Sequence, residues 1–227
     1  MTASLNLSSL LRRALPALTL AAVLPATALA TATPAALPPP HQVVEKATRD
    51  VLQRIVKDRP QFQKNPDHLY TIIEENLVPY VDFDRIAKRV MAKYYAQALP
   101  EQRAKFQQAF KTSLIRAYGT ALANYNDQKF EVVPPGKADV EPARATVNMN
   151  ITMKDGSVYR VQYAMFTDAA GAWKLENLVL EGINLGLTYR NNFAEMYQQY
   201  GGDMDKVINN WSSRVNAQKK ADDRKGG

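Results

Sequence analysis

The residues of this 227-residue chain that could carry chemistry are few and widely spaced. There are two histidines, His41 and His68, and no cysteine. A metal site needs several convergent ligands, and a serine nucleophile needs a neighbouring base that is most often histidine. The acidic pair Asp82 and Asp84 is two residues apart, a spacing that does not bring two carboxylates together on a helix, so we interpret Asp82 as a helix cap. The sequence therefore predicts no catalytic residue and no metal site.

Two further carboxylates are candidates for acid–base chemistry, which requires a buried group with a raised pKa. Asp155 falls in a turn, and Glu176 falls on a strand between neighbours that look exposed, so we expect neither to be buried. The chain has no Gly-rich phosphate-binding loop and no Gly-x-Ser-x-Gly motif. An enzyme that acts on a hydrophobic small molecule is therefore only a minor alternative.

Helical periodicity dominates the first part of the domain that must position any site. Apolar residues at helical spacing predict a helix over Val43–Ile55. Asn65-Pro66, Asp82 and Pro100 mark three more helix starts, because Asn and Asp cap helices and Pro suits the first helical position. The N-terminal half should therefore be a layer of helices.

After Asn126 the pattern alternates with a period of two. The predicted strands are Lys129–Val133, Ala143–Met153, Ser157–Phe166 and Trp173–Glu181, and the short turns between them imply an antiparallel meander. One sheet face is apolar and must be covered by helices. The predicted fold class is α+β, with an N-terminal helical layer packed on a curved antiparallel four-stranded sheet, followed by C-terminal helices.

Residues 1–30 have the pattern of a cleaved signal peptide. Arg12 and Arg13 precede the apolar run Ala14–Leu24, which is too short to span a bilayer comfortably, and small residues lead to Ala30. We expect export and cleavage after Ala30.

The remaining boundaries follow from composition. Residues 31–41 are rich in Ala and Pro and are predicted to be a mobile leader, residues 42–215 a single domain, and residues 216–227 a disordered polar tail. Loss of the signal peptide lowers the net charge from +7 to +5, because it carries two arginines and no acid. The basic residues are scattered among acids, which is typical of a solvated surface, although a mild positive charge also favours transient docking on a membrane surface. No nucleic-acid partner is predicted.

Methionine, aromatic and aliphatic residues recur on the helices and on one face of the sheet. Methionine adapts to irregular shapes, so such a set can line a cavity for an apolar ligand, but it more often fills a solid core. Spacing alone leaves both alternatives open.

Two segments of the chain resemble the MlaC family of periplasmic phospholipid carriers. They are VDFDRIAKRVMAKYYAQALPEQRAKFQQAF, from Val81 to Phe110, and LEGINLGLTYRNNFAEMYQQYGGDMDKVINNW, from Leu180 to Trp211. The resemblance covers nearly all of residues 42–215. It implies a single lipid-binding domain whose helices and sheet enclose an apolar cavity.

The resemblance also implies a function. Such a protein is a soluble periplasmic monomer without enzymatic activity and without a cofactor beyond the bound phospholipid. It shuttles lipid between an outer-membrane lipoprotein complex and an inner-membrane ABC transporter, and so maintains the lipid asymmetry of the outer membrane.

The resemblance places the acyl chains in the cavity and the head group near solvent. The predicted head-group contacts are Arg144, Arg160 and Arg190. The predicted acyl-chain contacts are Phe83, Ile86, Met91, Tyr94, Phe106, Phe110, Leu114, Tyr118, Val147, Met149, Ile151, Val161, Tyr163, Met165, Leu178, Ile183, Tyr189 and Phe193. The main alternative is a periplasmic interaction module, in which the same residues pack a solid core and the surface binds a partner.

Overall fold

The computed structural model describes residues 39–126, 128–136, 139 and 141–225, with side chains as far as Lys220. The predicted signal peptide and residues 31–38 of the predicted leader lie outside these residues. Among the helices in the described ranges, none combines the length and the apolar character needed to cross a bilayer.

Within the described residues, four α-helices form the N-terminal half, and the predicted starts at Asp82 and Pro100 are confirmed, whereas the second helix begins at Asp67 without a side-chain cap from its N-cap residue Pro66. The Asp82 carboxylate accepts a hydrogen bond from the Arg85 backbone N–H at 2.8 Å, which confirms the predicted cap, and Pro100 opens the fourth helix. The helices are α1 (Pro40–Lys64), α2 (Asp67–Asn76), α3 (Phe83–Met91) and α4 (Pro100–Ala123), with 3₁₀ segments at Val78–Tyr80 and Ala92–Gln97.

A buried carboxylate joins α1 to α2. Asp58 is 3% exposed, and its Oδ2 accepts a hydrogen bond from Arg54 Nε at 2.5 Å and lies 3.2 Å from His68 Nε2. The hydrogen bond from Arg54 holds the pKa of Asp58 below its ordinary value, with His68 adding to the effect against the opposing influence of burial. His68 therefore has a structural contact within the helical layer.

In the described ranges the sheet has five antiparallel strands in sequential order, one more than predicted. The extra strand is only two residues long, which is too short to show a period in the sequence. It is formed because Glu181 and Gly182 both adopt positive φ angles, 47° and 78°, and turn the chain back on itself. The strands are β1 (Lys129–Val132), β2 (Arg144–Thr152), β3 (Val158–Thr167), β4 (Trp173–Leu180) and β5 (Ile183–Asn184). The predicted α+β class with an antiparallel sheet is confirmed.

The pairing of β3 with β4 contains a β-bulge. Met165 pairs with Leu175 and Ala164 pairs with Asn177, so Glu176 is an additional residue on β4. A bulge bends its strand and redirects the side chain at that point.

Two helices follow the sheet in the described residues, α5 (Leu185–Gln199) and α6 (Met204–Lys225). The predicted disordered tail from residue 216 is wrong as far as Lys225, because α6 continues through it. No Gly or Pro interrupts α6, Val215 is fully buried, and Asn192 Nδ2 donates to Gln218 Oε1 at 3.3 Å. At the other end, α1 begins at Pro40, two residues inside the predicted leader of residues 31–41.

The helices α3 to α6 bury a solid group of rings, which we call the aromatic cluster: Phe106, Phe110, Tyr189, Phe193 and Trp211. Each is at most 2% exposed. The ring of Phe106 lies edge-on to those of Phe193 and Trp211, with centroids 4.9 and 5.0 Å apart. This geometry is typical of well-packed aromatic side chains.

Candidate functional site

The space between the helical layer and the sheet is hollow. It contains two cavities, a large cavity of about 400 Å³ and a small cavity of about 280 Å³. Several of their lining side chains, including Leu77, Tyr118 and Leu178, are only half-buried although they lie in the middle of the domain. They are not fully buried because they face open space instead of other side chains.

Helices α2 to α5 cover the large cavity from one side, and strands β2 to β4 cover it from the other. Its lining residues are Ile73, Leu77, Val78, Val81, Phe83, Ile86, Phe110, Leu114, Ile115, Tyr118, Gly119, Ala121, Leu122, Ile151, Val161, Tyr163, Leu175, Asn177, Leu178, Leu180, Leu185, Gly186 and Tyr189.

The first half of α1 covers the small cavity against the sheet. Its lining residues are Val43, Val44, Ala47, Thr48, Val51, Leu52, Leu77, Tyr80, Val81, Leu122, Phe130, Met149, Ile151, Tyr163, Met165, Leu175 and Leu178. The two cavities adjoin each other, and seven residues line both, which we call the shared lining: Leu77, Val81, Leu122, Ile151, Tyr163, Leu175 and Leu178.

The structure separates the predicted acyl-chain contacts into two groups. Those that line a cavity are Phe83, Ile86, Phe110, Leu114, Tyr118, Met149, Ile151, Val161, Tyr163, Met165, Leu178 and Tyr189. Those that line neither cavity are Met91, Tyr94, Phe106, Val147, Ile183 and Phe193. Within this second group, Phe106 and Phe193 belong to the aromatic cluster, and Met91 and Tyr94 pack against it. Val147 is fully buried between α1 and the sheet, and Ile183 lies on the edge strand.

Sequence reasoning missed part of the lining. Leu77, Leu122 and Leu175 belong to the shared lining, and the α1 residues Val44 and Ala47 form one wall of the small cavity. The apolar stripe of α1 is visible in the sequence as a helical period. Nothing in that period distinguishes a stripe that faces a cavity from a stripe that packs on neighbours.

The polar atoms that reach the cavities are neutral. In the large cavity the hydroxyls of Tyr118 and Tyr189 are hydrogen-bonded to each other at 2.7 Å. In the shared lining, the Tyr163 hydroxyl contacts Met149 Sδ at 3.9 Å, and burial raises the pKa of Tyr163. Among the described residues, no charged side chain lines either cavity. The interior is therefore suited to an apolar ligand.

Glu176 is buried, so the expectation that it is exposed is wrong. The bulge directs it to a site where it is 5% exposed, and its carboxylate contacts Arg85 Nε at 2.7 Å, Arg89 Nη1 at 3.0 Å and Arg144 Nη1 at 3.0 Å. The Arg85 guanidinium also lies 4.1 Å from the centroid of the Phe166 ring. We call Glu176 and the three arginines, Arg85, Arg89 and Arg144, the Glu176 cluster.

The pKa of Glu176 is shifted in the opposite direction from the raised pKa that an acid–base carboxylate needs. Burial opposes the charge, but the hydrogen bond from Arg85 and the charges of Arg89 and Arg85 outweigh it, so the pKa of Glu176 is below its ordinary value. Glu176 lines neither cavity. The buried carboxylate with a raised pKa that an enzyme would need is not found at this position.

Each cavity adjoins a polar depression in the surface. One depression, of about 540 Å³, shares Thr48, Phe130 and Met149 with the small cavity and also contains Arg49. The other, of about 450 Å³, lies beside the large cavity, with which it shares Val78, Val81 and Phe83, and also contains Lys111 and Lys174.

The predicted head-group arginines lie elsewhere. Arg144 belongs to the Glu176 cluster, the backbone N–H of Arg160 donates to the Glu181 carboxylate, and Arg190 is exposed on α5. None of the three lines a cavity or either polar depression. In the part of the chain that the structure describes, no group of three His, Asp or Glu side chains could hold a metal ion.

An α+β domain whose helices and sheet enclose apolar cavities, without a charged lining, defines a class of proteins that bind apolar ligands. The family model described as "MlaC protein" matches residues 45–213. The chain belongs to the MlaC family.

Individual relatives agree with this assignment. The chain is 40% identical over 216 residues to the toluene tolerance protein ttg2D of Pseudomonas putida, covering 95% of each chain. It is 24% identical over 177 residues to the intermembrane phospholipid transport system binding protein MlaC of Haemophilus influenzae, covering 77% of this chain and 82% of the relative.

A solved structure has the same fold. The phospholipid-binding protein from Ralstonia solanacearum, in complex with a phospholipid, superposes with a TM-score of 0.71 at 28% sequence identity. The match covers 81% of this chain and 99% of that chain.

Proposed function

We propose that this protein is a periplasmic phospholipid carrier that holds the acyl chains in its cavities and leaves the head group near solvent. The observation that carries the proposal is the large apolar cavity of about 400 Å³ between the helices and the sheet. The phospholipid in the solved relative from Ralstonia solanacearum supports the same class of ligand.

The energetics explain why such a carrier is needed. Each methylene buried away from water is worth about 0.8 kcal/mol, so two chains of roughly sixteen carbons are worth on the order of 25 kcal/mol. A lipid therefore leaves a membrane very slowly on its own. A cavity without charged groups offsets most of this cost by replacing water with apolar contacts.

The function requires binding and release but no chemical reaction. We propose that the protein is not an enzyme, because the buried carboxylate Glu176 is paired with arginines and lines neither cavity. Its partners would be an outer-membrane lipoprotein complex and an inner-membrane ABC transporter, with energy supplied by the transporter. The name of the Haemophilus relative, a binding protein of an intermembrane phospholipid transport system, supports this role.

Native mass spectrometry and lipid extraction test the proposal on protein purified from the periplasm. We expect co-purified phospholipid in the wild-type protein. In Leu114→Trp the indole occupies part of the large cavity, so we expect a folded protein with less lipid. The matched control is Leu187→Trp on the exposed surface of α5, which should retain its lipid.

Wild-type protein that is free of lipid when it leaves its native compartment would contradict the carrier function. A lipid-free protein that instead co-purifies with another protein would favour the interaction module.

A further inference from the structure

The Glu176 cluster carries more positive charge than its own carboxylate neutralises. Arg85 and Arg89 come from α3, and Arg144 comes from the start of β2. Their guanidinium nitrogens lie 2.7, 3.0 and 3.0 Å from the Glu176 carboxylate, and among the residues that the structure describes these are the only ion pairs that the three arginines form. Three guanidinium charges therefore face a single carboxylate charge, and the cluster keeps an excess of positive charge.

The three arginines remain accessible although the carboxylate that they share is buried. Their side chains are 38%, 50% and 58% exposed, whereas the side chain of Glu176 is 5% exposed. A single guanidinium has more N–H donors than a carboxylate has oxygen lone pairs. Most donors of the Glu176 cluster are therefore available to another anion at the surface.

Two features hold the cluster in place before any ligand binds. Glu176 is directed toward the arginines because it is the additional residue of the β-bulge on β4. The guanidinium of Arg85 lies 4.1 Å from the centroid of the Phe166 ring, a contact that is attractive for a cation over an aromatic face. Arginine side chains that are already held in this way lose less conformational entropy when they bind a ligand.

Exposed acidic residues beside the cluster distinguish a protein ligand from a membrane. Asp84 precedes Arg85 on α3, and the backbone N–H of Glu141 donates to the carbonyl oxygen of Arg144 at 2.7 Å. A flat anionic bilayer would bring its phosphates against these two carboxylates as well as against the arginines, and like charges repel. A flexible acidic segment of a protein can instead place one carboxylate between the arginines and turn away from Asp84 and Glu141.

We propose that the Glu176 cluster is a docking site for an acidic segment of a partner protein, with a carboxylate of that segment bound between Arg89 and Arg144. The planar fork of a guanidinium matches the geometry of a carboxylate, and complementary charge speeds association. The cluster lines neither cavity, so the inference goes beyond lipid carriage and assigns a second surface of the molecule.

Fluorescence anisotropy tests the docking site on the full mature protein. The probe is a fluorescein-labelled peptide of alternating Glu and Ser, and the reference peptide has Gln in place of Glu. We expect the wild-type protein to bind the acidic peptide, less tightly as NaCl is added, and not to bind the reference peptide. Arg89→Ala and Arg144→Ala should each weaken the binding about tenfold, because each removes charge-assisted hydrogen bonds.

Arg190→Ala is the matched control, because it removes the same charge from an exposed position on α5 and should leave the affinity unchanged. Arg89→Lys keeps the charge but loses the planar fork, so it should weaken binding less than Arg89→Ala does. If Arg89→Ala does not fold, Arg89→Lys and Arg144→Ala decide the question.

Four results would overturn the docking site. They are no binding of the acidic peptide by the wild type, wild-type affinity in the folded cluster variants, an equal loss in Arg190→Ala, and a loss of sedimentation with vesicles in the cluster variants. The vesicles contain equal parts of phosphatidylethanolamine and phosphatidylglycerol, and the last result would assign the surface to a membrane.

Phospholipid extraction from the same samples reports on the proposed function separately. We expect the cluster variants to retain their lipid, because the cluster lies apart from the cavities. Wild-type protein that binds the acidic peptide but contains no lipid would contradict the carrier function and leave the docking site in place.

Discussion

The aromatic cluster and the hollow interior are built from the same kinds of residue, yet one is solidly packed and the other encloses cavities. Helix α4 passes through both. Phe106 is fully buried in the aromatic cluster, Phe110 is one turn further on and borders the large cavity, and Leu114 and Tyr118 line the cavity. One continuous apolar stripe therefore belongs to a packed core at its start and lines a cavity at its end.

The difference lies in what stands opposite the stripe. At Phe106, α5 contributes Phe193 and α6 contributes Trp211. The centroids of their rings lie 4.9 and 5.0 Å from that of Phe106. At Leu114 and Tyr118 the layer opposite is the sheet, and the space between them is open. Side chains of the same type gain dispersion energy from their neighbours in the first region. In the second region they lack those neighbours, so contact with a ligand can supply the same dispersion energy.

Truncation of an aromatic side chain should give the largest difference in the free energy of unfolding between the two regions. Phe106→Ala removes a fully packed side chain and should lower the free energy of unfolding by about 4 kcal/mol. Phe83→Ala, at a half-buried position lining the large cavity, should cost only about 1 kcal/mol, because part of its surface already faces open space. Urea denaturation of delipidated protein measures both. Equal losses would show that the cavity is closed in solution.

A smaller loss is expected at the Glu176 cluster, which belongs to neither region. Glu176→Gln removes the charge that three arginines share and should cost about 2 kcal/mol, less than a fully buried pair, because the arginines remain partly solvated. Lipid content should not change. Glu131→Gln, at an exposed carboxylate 3.7 Å from Lys129, is the control and should cost less than about 0.5 kcal/mol.

The pH dependence of stability provides a related test. The folded pKa of Glu176 lies below its ordinary value of 4.5, so its stabilising contribution is complete above about pH 4.5 and is lost as the pH falls through the folded pKa. The urea midpoint of the wild type should therefore fall more steeply than that of Glu176→Gln between neutral and acidic pH. Parallel curves would mean that Glu176 is not ionised in its buried site.

The sequence predicts the helical layer, four of the strands and the α+β class, because these depend on local periodicity and on caps such as Asp82. Short-range signals do not reveal β5 or the bulge at Glu176, since both depend on how strands pair. For a similar reason, the sequence does not distinguish residues that line a cavity from residues that pack on neighbours. Val147 and Met149 are two residues apart and point to the same face of β2. Only the position of the helix above them determines that Met149 borders a cavity while Val147 is packed.

The smallest effects are expected at the predicted head-group arginines outside the Glu176 cluster. Arg160→Ala and Arg190→Ala remove exposed side chains that line no cavity, so each should change the free energy of unfolding by less than about 0.5 kcal/mol. We expect their lipid content, measured by extraction, to equal that of the wild type. Lys111→Ala and Lys174→Ala, in the polar depression beside the large cavity, provide the comparison. A loss of lipid in Arg160→Ala or Arg190→Ala, with no loss in the lysine variants, would place the head group on the outer surface of the sheet or on α5.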